Sequence, residues 1–136
     1  MLKVIACFAL VLGVAYAAVD SKCMNCICQV ESNCNENIGC RWDVNSYSCG
    51  PYQIKEVYYI DCSIYGGVGS DWKTCANKKD CSEQCVQNYM KRYGTYCTGG
   101  PTPTCQDYAR IHNGGPKGCK SSATVGYWNK VSACYN

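Results

Sequence analysis

Several residue types are scarce in this chain of 136 residues, and each scarcity argues against a class of protein. With one His in the chain, a metal site built on several histidines is not expected. No run of Lys and Arg exceeds two residues, which falls short of a nucleic-acid-binding patch. No Asn-x-Ser/Thr sequon occurs, so N-glycosylation is not expected. The sequence therefore predicts no metal, no cofactor and no nucleic-acid partner.

The longest apolar run is too short to cross a membrane. Residues 4–14 are apolar and lie between Lys3 and the small-residue sequence Ala15-Tyr16-Ala17, which is the arrangement of a secretory signal peptide. A transmembrane helix needs about 20 apolar residues. We therefore expect a signal peptide at residues 1–17, one domain at residues 18–136, and a secreted, extracellular protein with no membrane anchor.

Cysteine, by contrast, is abundant, with 15 residues in the chain. Removal of the predicted signal peptide also removes Cys7 and leaves 14 cysteines. An even number of cysteines in a secreted chain indicates disulfide bonds rather than a zinc site. We expect seven bridges and no free thiol, with a pairing that the spacing leaves open. The apolar core is expected to be modest, because the aromatic residues are mainly tyrosines, 12 in number, against one Phe. Disulfide bridges stabilise a small domain of this kind.

The charge of the chain is mildly basic. The formal net charge is +3, and it is +2 once Lys3 leaves with the signal peptide. This balance favours approach to an anionic surface such as a bacterial wall. We expect a monomer or a weak dimer.

Hydrophobic periodicity predicts an α+β fold, mostly helices with one short β-hairpin. A helical spacing of apolar residues places a first helix at about residues 22–32 and two further helices around Tyr108 and Tyr127. Alternation of bulky and polar residues over 41–54, about an Asn-Ser turn, predicts the hairpin. Residues 66–70 read as a loop. Residues 80–83 resemble a capping box that opens a helix, which Gly94 is expected to end.

Two acidic residues occupy contrasting positions in this outline. Glu31 falls in the last turn of the first helix beside Ile27 and Val30, and both the helix dipole and desolvation raise the pKa of a carboxyl group there. Asp43 lies on the first arm of the hairpin, close to serine hydroxyls that would keep it ionised. Glycoside hydrolysis needs such a pair, one protonated carboxyl group and one carboxylate.

Local context alone does not single out these two acids. Glu56, Asp61 and Asp107 are equally eligible by position, and most acidic residues in such places are solvated surface groups. The one histidine, His112, stands near a helix end, where a cation or cap is the simpler interpretation. No Gly-x-Ser-x-Gly element supports a serine nucleophile.

Six ordered blocks of the chain resemble the invertebrate-type lysozymes, the family that includes destabilase, over nearly the whole of the predicted mature chain. The blocks are Cys26-Ile27-Cys28-Gln29-Val30-Glu31-Ser32, Ile38-Gly39-Cys40-Arg41-Trp42-Asp43-Val44, Ser48-Cys49-Gly50-Pro51-Tyr52-Gln53-Ile54-Lys55, Asp61-Cys62, Cys85-Val86-Gln87-Asn88-Tyr89-Met90-Lys91-Arg92-Tyr93 and Tyr108-Ala109-Arg110-Ile111-His112-Asn113-Gly114-Gly115-Pro116-Lys117-Gly118-Cys119. The chain departs from the family in two places: Tyr59 stands where Trp is frequent, and Asn33 where many relatives have Gly.

The resemblance implies a small lysozyme-like fold and a retaining lysozyme that hydrolyses bacterial peptidoglycan, with chitin oligosaccharides as further substrates. It assigns the general acid to Glu31 and the nucleophile to Asp43. It also implies a sugar-binding cleft lined by two segments of the chain. The residues implied there are Ile54, Lys55, Tyr58, Tyr59, Tyr93, His112 and Asn113.

Two other functions remain open on the sequence. Some relatives are credited with isopeptidase activity, and the matching positions here are Ser46, Ser48, Lys55 and His112. The other is a non-enzymatic carbohydrate-binding or antimicrobial protein, in which both carboxylates would be dispensable.

Overall fold

The computed structural model describes residues 17–64, 66, 68–69 and 71–136. Helices dominate, and a three-stranded antiparallel sheet of order β1-β2-β3 stands at one side. The expected α+β fold is confirmed. The predicted signal peptide lies, except for Ala17, outside the described residues. The predicted loop at residues 66–70 falls partly outside them as well.

Within the described residues, six α-helices form most of the structure. They are α1 Ser21–Ser32, α2 Glu56–Ser63, α3 Trp72–Ala76, α4 Lys79–Thr98, α5 Cys105–Gly114 and α6 Val125–Tyr135. Two short 3₁₀ turns, Gly118–Lys120 and Ser122–Thr124, join α5 to α6. Helices α2 and α3 were not predicted, because neither is long enough to show a clear helical period.

Helix α1 begins and ends as its sequence requires. The Asp20 side chain accepts a hydrogen bond from the Cys23 amide at 2.8 Å and so caps the first turn. Asn33 ends the helix at φ 57°, in the left-handed region that Asn tolerates better than most residues. The Gly that the family resemblance implies at this position would meet the same demand. Glu31 is thereby held in the last turn, as expected.

The sheet is built on a tight hairpin. Strand β1 (Cys40–Asp43) pairs with β2 (Ser46–Cys49), and β2 pairs with the two-residue β3 (Ile54–Lys55). The turn is Val44-Asn45, with φ 31° and 69°, so it lies one residue before the predicted Asn-Ser turn. Asp43 is the last residue of β1 and is therefore fixed at the hairpin tip.

Helix α4 differs from its prediction at both ends. It begins at Lys79 with no side-chain cap, so the expected capping box at residues 80–83 is wrong. It also runs past Gly94 and ends at Gly99, which has φ 80°. Gly94 serves packing instead, because an added Cβ would lie 3.0 Å from a Pro103 ring carbon and 3.1 Å from the Tyr108 ring. Helix α5, by contrast, does begin with a capping box, formed by Thr104 and Asp107.

Seven disulfide bonds tie these elements together, as the cysteine count predicted. Cys23–Cys105 and Cys26–Cys134 join α1 to α5 and to α6, and the others are Cys28–Cys34, Cys40–Cys49, Cys62–Cys85, Cys75–Cys81 and Cys97–Cys119. The buried core lies between α1, α4 and α5 and includes many of these sulfur atoms. In the described part of the chain, no helix is long and apolar enough to span a membrane.

Candidate active site

Glu31 stands where helix α1 meets the sheet. The residue borders solvent, but its carboxyl group is packed against protein atoms, and this burial raises its pKa from 4.5 to about 7. The Tyr127 hydroxyl opposes the shift by stabilising the ionised form, while the negative charge of Asp43 adds to it. Desolvation is the largest of these effects, so Glu31 holds its proton near neutral pH.

Asp43 has the opposite environment. Its side chain is 58% exposed, and the Lys55 ammonium lies 3.4 Å from Oδ2. Lys55 Nζ also donates to the Asp43 carbonyl at 3.0 Å and to Ser46 Oγ at 2.7 Å. The expected serine contacts to the carboxylate are replaced by this lysine, which spans from β3 to the hairpin tip. The Asp43 carboxylate thus lies in solvent beside a cation.

A cleft of about 310 Å³ contains both carboxyl groups. The antiparallel register explains why Asp43, Ser48 and Lys55 line it together: the pairs Asp43↔Ser46 and Ser48↔Lys55 project from one face of the sheet. Glu31 enters from the end of α1. The cleft thus opposes a protonated acid on a helix to an ionised carboxylate on a hairpin.

His112 belongs to the wall of this cleft and is not a helix-terminal cation. Its Nε2 donates to the Tyr52 carbonyl at 3.0 Å, which leaves Nδ1 to accept from the Tyr58 hydroxyl at 3.0 Å. Burial lowers the pKa of His112 to about 4, although the bond to the carbonyl opposes this shift. Tyr58 in turn stacks on Tyr89 with ring centroids 3.7 Å apart. These contacts make a rigid, uncharged wall.

Tyr127 connects the last helix to the acid. Its hydroxyl is buried and has no well-formed hydrogen bond among the described residues, yet it lies close enough to Glu31 to lower the pKa of that carboxyl group. Burial, and after it the proximity of Glu31, raises the pKa of Tyr127 well above its usual value. The disulfide Cys26–Cys134 holds α6 against α1 and so fixes this approach. Helix α6 is therefore part of the site.

Comparison with known proteins now adds to this geometry. Residues 20–134 match the family model described as Destabilase. The chain belongs to this family. Among the relatives in the destabilase family, Lysozyme 1 of Crassostrea virginica is 55% identical over 115 residues, a match that spans 85% of this chain and 59% of that relative. The Meretrix lusoria lysozyme is 51% identical over 86% of this chain and 93% of its own length.

Solved structures of destabilase-family lysozymes share the fold. The structure of Meretrix lusoria lysozyme in complex with Aeromonas hydrophila PliI aligns with a TM-score of 0.78 at 50% identity, over 88% of this chain and 93% of that one. The Tapes japonica lysozyme aligns with a TM-score of 0.77 at 51% identity, over 86% and 91%. The lysozyme-like architecture expected from the sequence is confirmed.

The cleft brings together part of the set implied by the family resemblance. Lys55, Tyr58, His112 and Asn113 line it with Glu31 and Asp43. Ile54, in strand β3, is buried, and its carbonyl accepts a hydrogen bond from the Trp72 indole at 2.9 Å. Tyr59 and Tyr93 lie in the described part of the chain but do not line the cleft either. The Tyr59 hydroxyl lies 3.5 Å from the Gly69 carbonyl, and the Tyr93 ring packs on Tyr89.

Other lining residues were not predicted as part of the cleft. These are Gln53, Val57, Asp61, Tyr89, Gly115 and Pro116. All of them except Val57 stand in family blocks quoted above, so position within a block was the available signal. Val57 and Asp61 are four residues apart and share a face with Tyr58 only because α2 is a helix. Because helix α2 was not predicted, the sequence did not show that Val57 and Asp61 lie together.

Proposed function

We propose that this chain is a lysozyme that hydrolyses the β-1,4 bond between N-acetylmuramic acid and N-acetylglucosamine in bacterial peptidoglycan. The observation that carries the proposal is the pairing, across one cleft, of Glu31, whose largely desolvated carboxyl group is protonated, with an exposed, lysine-paired Asp43. The lysozyme relatives support it, because the match to them includes the segments that bear both acids. Chitin oligosaccharides, which share the β-1,4-linked N-acetylglucosamine, are the second substrate class.

The first step requires a proton on Glu31. Its carboxyl group donates this proton to the glycosidic oxygen while the bond between that oxygen and C1 breaks, so the leaving sugar departs as a neutral alcohol. A carboxyl group with a pKa of about 7 retains its proton in neutral and weakly acidic solution. Desolvation by the end of α1 thus supplies the acid.

The second carboxylate completes a double displacement. Asp43 attacks C1 and forms a glycosyl ester, and water activated by the now ionised Glu31 then attacks C1 and releases Asp43. This retaining course requires the two carboxyl groups to stand roughly 5–5.5 Å apart when substrate is bound. Lys55 holds Asp43 in place from the hairpin side.

The isopeptidase alternative is less well supported by the same contacts. Ser48 Oγ is buried and has no hydrogen-bond partner in the described part of the chain. Lys55 is paired with Asp43 and Ser46, and both nitrogens of His112 are engaged by tyrosine groups. A serine nucleophile needs a base within hydrogen-bond reach. No such base contacts Ser48.

Clearing of a bacterial cell-wall suspension tests the proposal. We expect Glu31→Gln and Asp43→Asn each to reduce the rate at least a hundredfold while the fold, followed by circular dichroism, is unchanged. Glu36→Gln, at an exposed acid outside the cleft, is the matched control and retains full activity. A binder without catalysis would clear no suspension in any form, and an isopeptidase would retain cleavage of an isopeptide substrate in Glu31→Gln.

We further propose that the protein is secreted and acts in defence against bacteria or in their digestion. Seven disulfide bonds are typical of proteins that fold in an oxidising compartment. Cleavage after Ala17 would release residues 18–136, a span that contains the whole family match at residues 20–134. The amino-terminal sequence of the secreted form tests the cleavage position.

A further inference from the structure

The hairpin that carries Asp43 has a second face, which lies on the side of the sheet away from the cleft. Alternate residues of a strand point to opposite sides of a sheet. Because Asp43 pairs with Ser46 on the cleft side, the neighbouring pair Trp42↔Tyr47 projects to the other side. The two rings meet edge to face, with centroids 5.1 Å apart.

At the tip of the hairpin this second face is open to solvent, whereas further along the sheet it is covered at Cys49 and Ile54. Trp42 is 65% exposed and Tyr47 is 47% exposed. Single exposed apolar residues are ordinary on protein surfaces, but two adjoining aromatic rings at the tip of a fixed hairpin are less so. Tight pairing in the disulfide-linked hairpin (Cys40–Cys49) holds them in place without help from the core.

A cation adjoins one of these two rings, that of Tyr47. Lys73 Nζ lies 5.8 Å from the centroid of the Tyr47 ring and 5.6 Å from that of Trp72. Trp72 donates its indole N–H to the Ile54 carbonyl at 2.9 Å, which fastens helix α3 to strand β3 and so fixes Lys73 beside the hairpin. We refer to Trp42, Tyr47 and Lys73 as the aromatic platform.

We propose that the aromatic platform is a second carbohydrate-binding site, which holds a glycan strand of the bacterial wall outside the cleft. The apolar C–H face of a pyranose ring stacks on an aromatic side chain, and the ring hydroxyls stay in water. Lys73 supplies the positive charge that complements the carboxylates of the wall peptides. This inference rests on the proposed function, because it takes the wall polymer as substrate.

The same features disfavour a lipid surface as the occupant. Lys73 stands over the Tyr47 ring of the platform, so burial of the platform in hydrocarbon would desolvate an ammonium group. A glycan leaves that group hydrated. Two sites on opposite faces of one hairpin also suit a polymeric substrate, because binding at the platform raises the local concentration of strands at the cleft.

Two measurements on the same variants test the proposal. Sedimentation with purified, insoluble peptidoglycan measures wall binding, in a Glu31→Gln background so that the wall is not digested. Turnover of a short, soluble chitooligosaccharide by the corresponding variants with Glu31 intact measures the cleft. We expect Trp42→Leu and Tyr47→Leu each to weaken wall binding by about tenfold, and Trp42→Phe to restore most of it. Soluble turnover stays unchanged in all three.

Tyr96→Leu is the matched control. Tyr96 is 58% exposed, and it lies on α4 about 25 Å along the helix axis from Lys79, the end of α4 that is nearest α3. Its loss should leave wall binding intact. Lys73→Met should weaken binding to peptidoglycan more than binding to uncharged chitin.

Three results would overturn the proposal. Wall binding that is equal in Trp42→Leu, Tyr47→Leu and the parent would exclude the platform. A loss of soluble turnover in step with wall binding would mean that the variants act through Asp43. Trp42-dependent sedimentation with vesicles of anionic phospholipid, without any effect on peptidoglycan, would assign the platform to membranes. If no form turns over the soluble substrate but wall binding still depends on Trp42, the proposed function fails and the platform stands.

Discussion

At the scale of single residues, the site depends on how the surroundings of Glu31, including Asp43 and Tyr127, affect the proton on its carboxyl group. Burial raises the pKa of Glu31 to about 7, and Asp43 adds to the shift, while the Tyr127 hydroxyl stabilises the ionised form and limits it. The pKa of Glu31 therefore depends on a balance between desolvation, which raises it, and one hydroxyl group, which lowers it. This balance gives Tyr127 a measurable effect, although it does not touch the reacting bond.

Tyr127→Phe should move the basic limb of the pH–rate profile to higher pH. Removing the hydroxyl removes a group that favours the ionised carboxylate, so the pKa of Glu31 rises further, by up to about one unit. The profile of kcat/KM for a soluble chitooligosaccharide measures the shift. Tyr135→Phe, on the same helix but bonded to Asp20 instead, is the control and should leave the limb in place. A limb that moves to lower pH would contradict this account of Tyr127.

At the scale of secondary structure elements, the long periodic segments were predictable and the short ones were not. Helix α1 and the hairpin carried clear periods, and these two elements hold Glu31 and Asp43. Helix α2 has eight residues, too few to distinguish from the strand pattern before it, and its cleft residues Val57 and Asp61 were missed for that reason. The turn at Val44-Asn45 was placed one residue late, because Val is a poor indicator of a turn.

That turn also predicts a gain in stability. Val44 has φ 31°, a region in which a β-branched side chain is strained. Asn tolerates this conformation, so Val44→Asn should raise the free energy of unfolding by about 1 kcal/mol. Urea denaturation with intact disulfides measures it. Val125→Asn, at an exposed valine with φ −63°, serves as the control and should give no gain. An unstable Val44→Asn variant would show that the turn is not strained.

At the scale of the whole molecule, the fold brings to one cleft two groups whose pKa values are shifted in opposite directions, Glu31 upward and His112 downward. The seven-bridge framework and the family resemblance could be anticipated from the cysteines and the six blocks. The disulfide pairing could not be anticipated, because the cysteine count leaves the connectivity open. The neutral state of His112 and the role of α6 could not either, since each depends on contacts between residues 54 or more positions apart in the chain. These contacts have a consequence for stability.

Glu31 and His112 should give opposing pH dependences of stability. Folded Glu31 keeps its proton up to about pH 7 whereas the unfolded chain loses it near 4.5, so its contribution falls as the pH rises through this range. Folded His112 stays neutral down to about pH 4 whereas the unfolded chain protonates near 6.5, so its contribution is lost as the pH falls. Each shift corresponds to about 3 kcal/mol. The free energy of unfolding of the native chain should therefore change little between these limits.

Single substitutions should reveal the two slopes. Glu31→Gln leaves the His112 dependence, so its stability should rise from pH 4 to 6.5, and His112→Gln leaves the Glu31 dependence, so its stability should fall from pH 4.5 to 7. Urea denaturation across this range measures both. The slope is the readout, because His112→Gln also removes hydrogen bonds and lowers stability at every pH. Identical slopes in both variants would contradict the assigned protonation states.

The claim that Glu31 is the proton donor and Asp43 its partner is tested most directly by titrating the acid and the reaction together. Carbon-13 NMR of the side-chain carboxyl groups gives the pKa of Glu31, and kcat/KM for a soluble chitooligosaccharide, free of the salt-dependent attraction to whole walls, gives the basic limb. The account predicts that both midpoints lie near pH 7 and that Asp43→Asn abolishes turnover and lowers the pKa of Glu31, because it removes a neighbouring negative charge. A basic limb and rate left unchanged by Asp43→Asn would contradict it and direct the search to Asp61, Glu56 or Asp107.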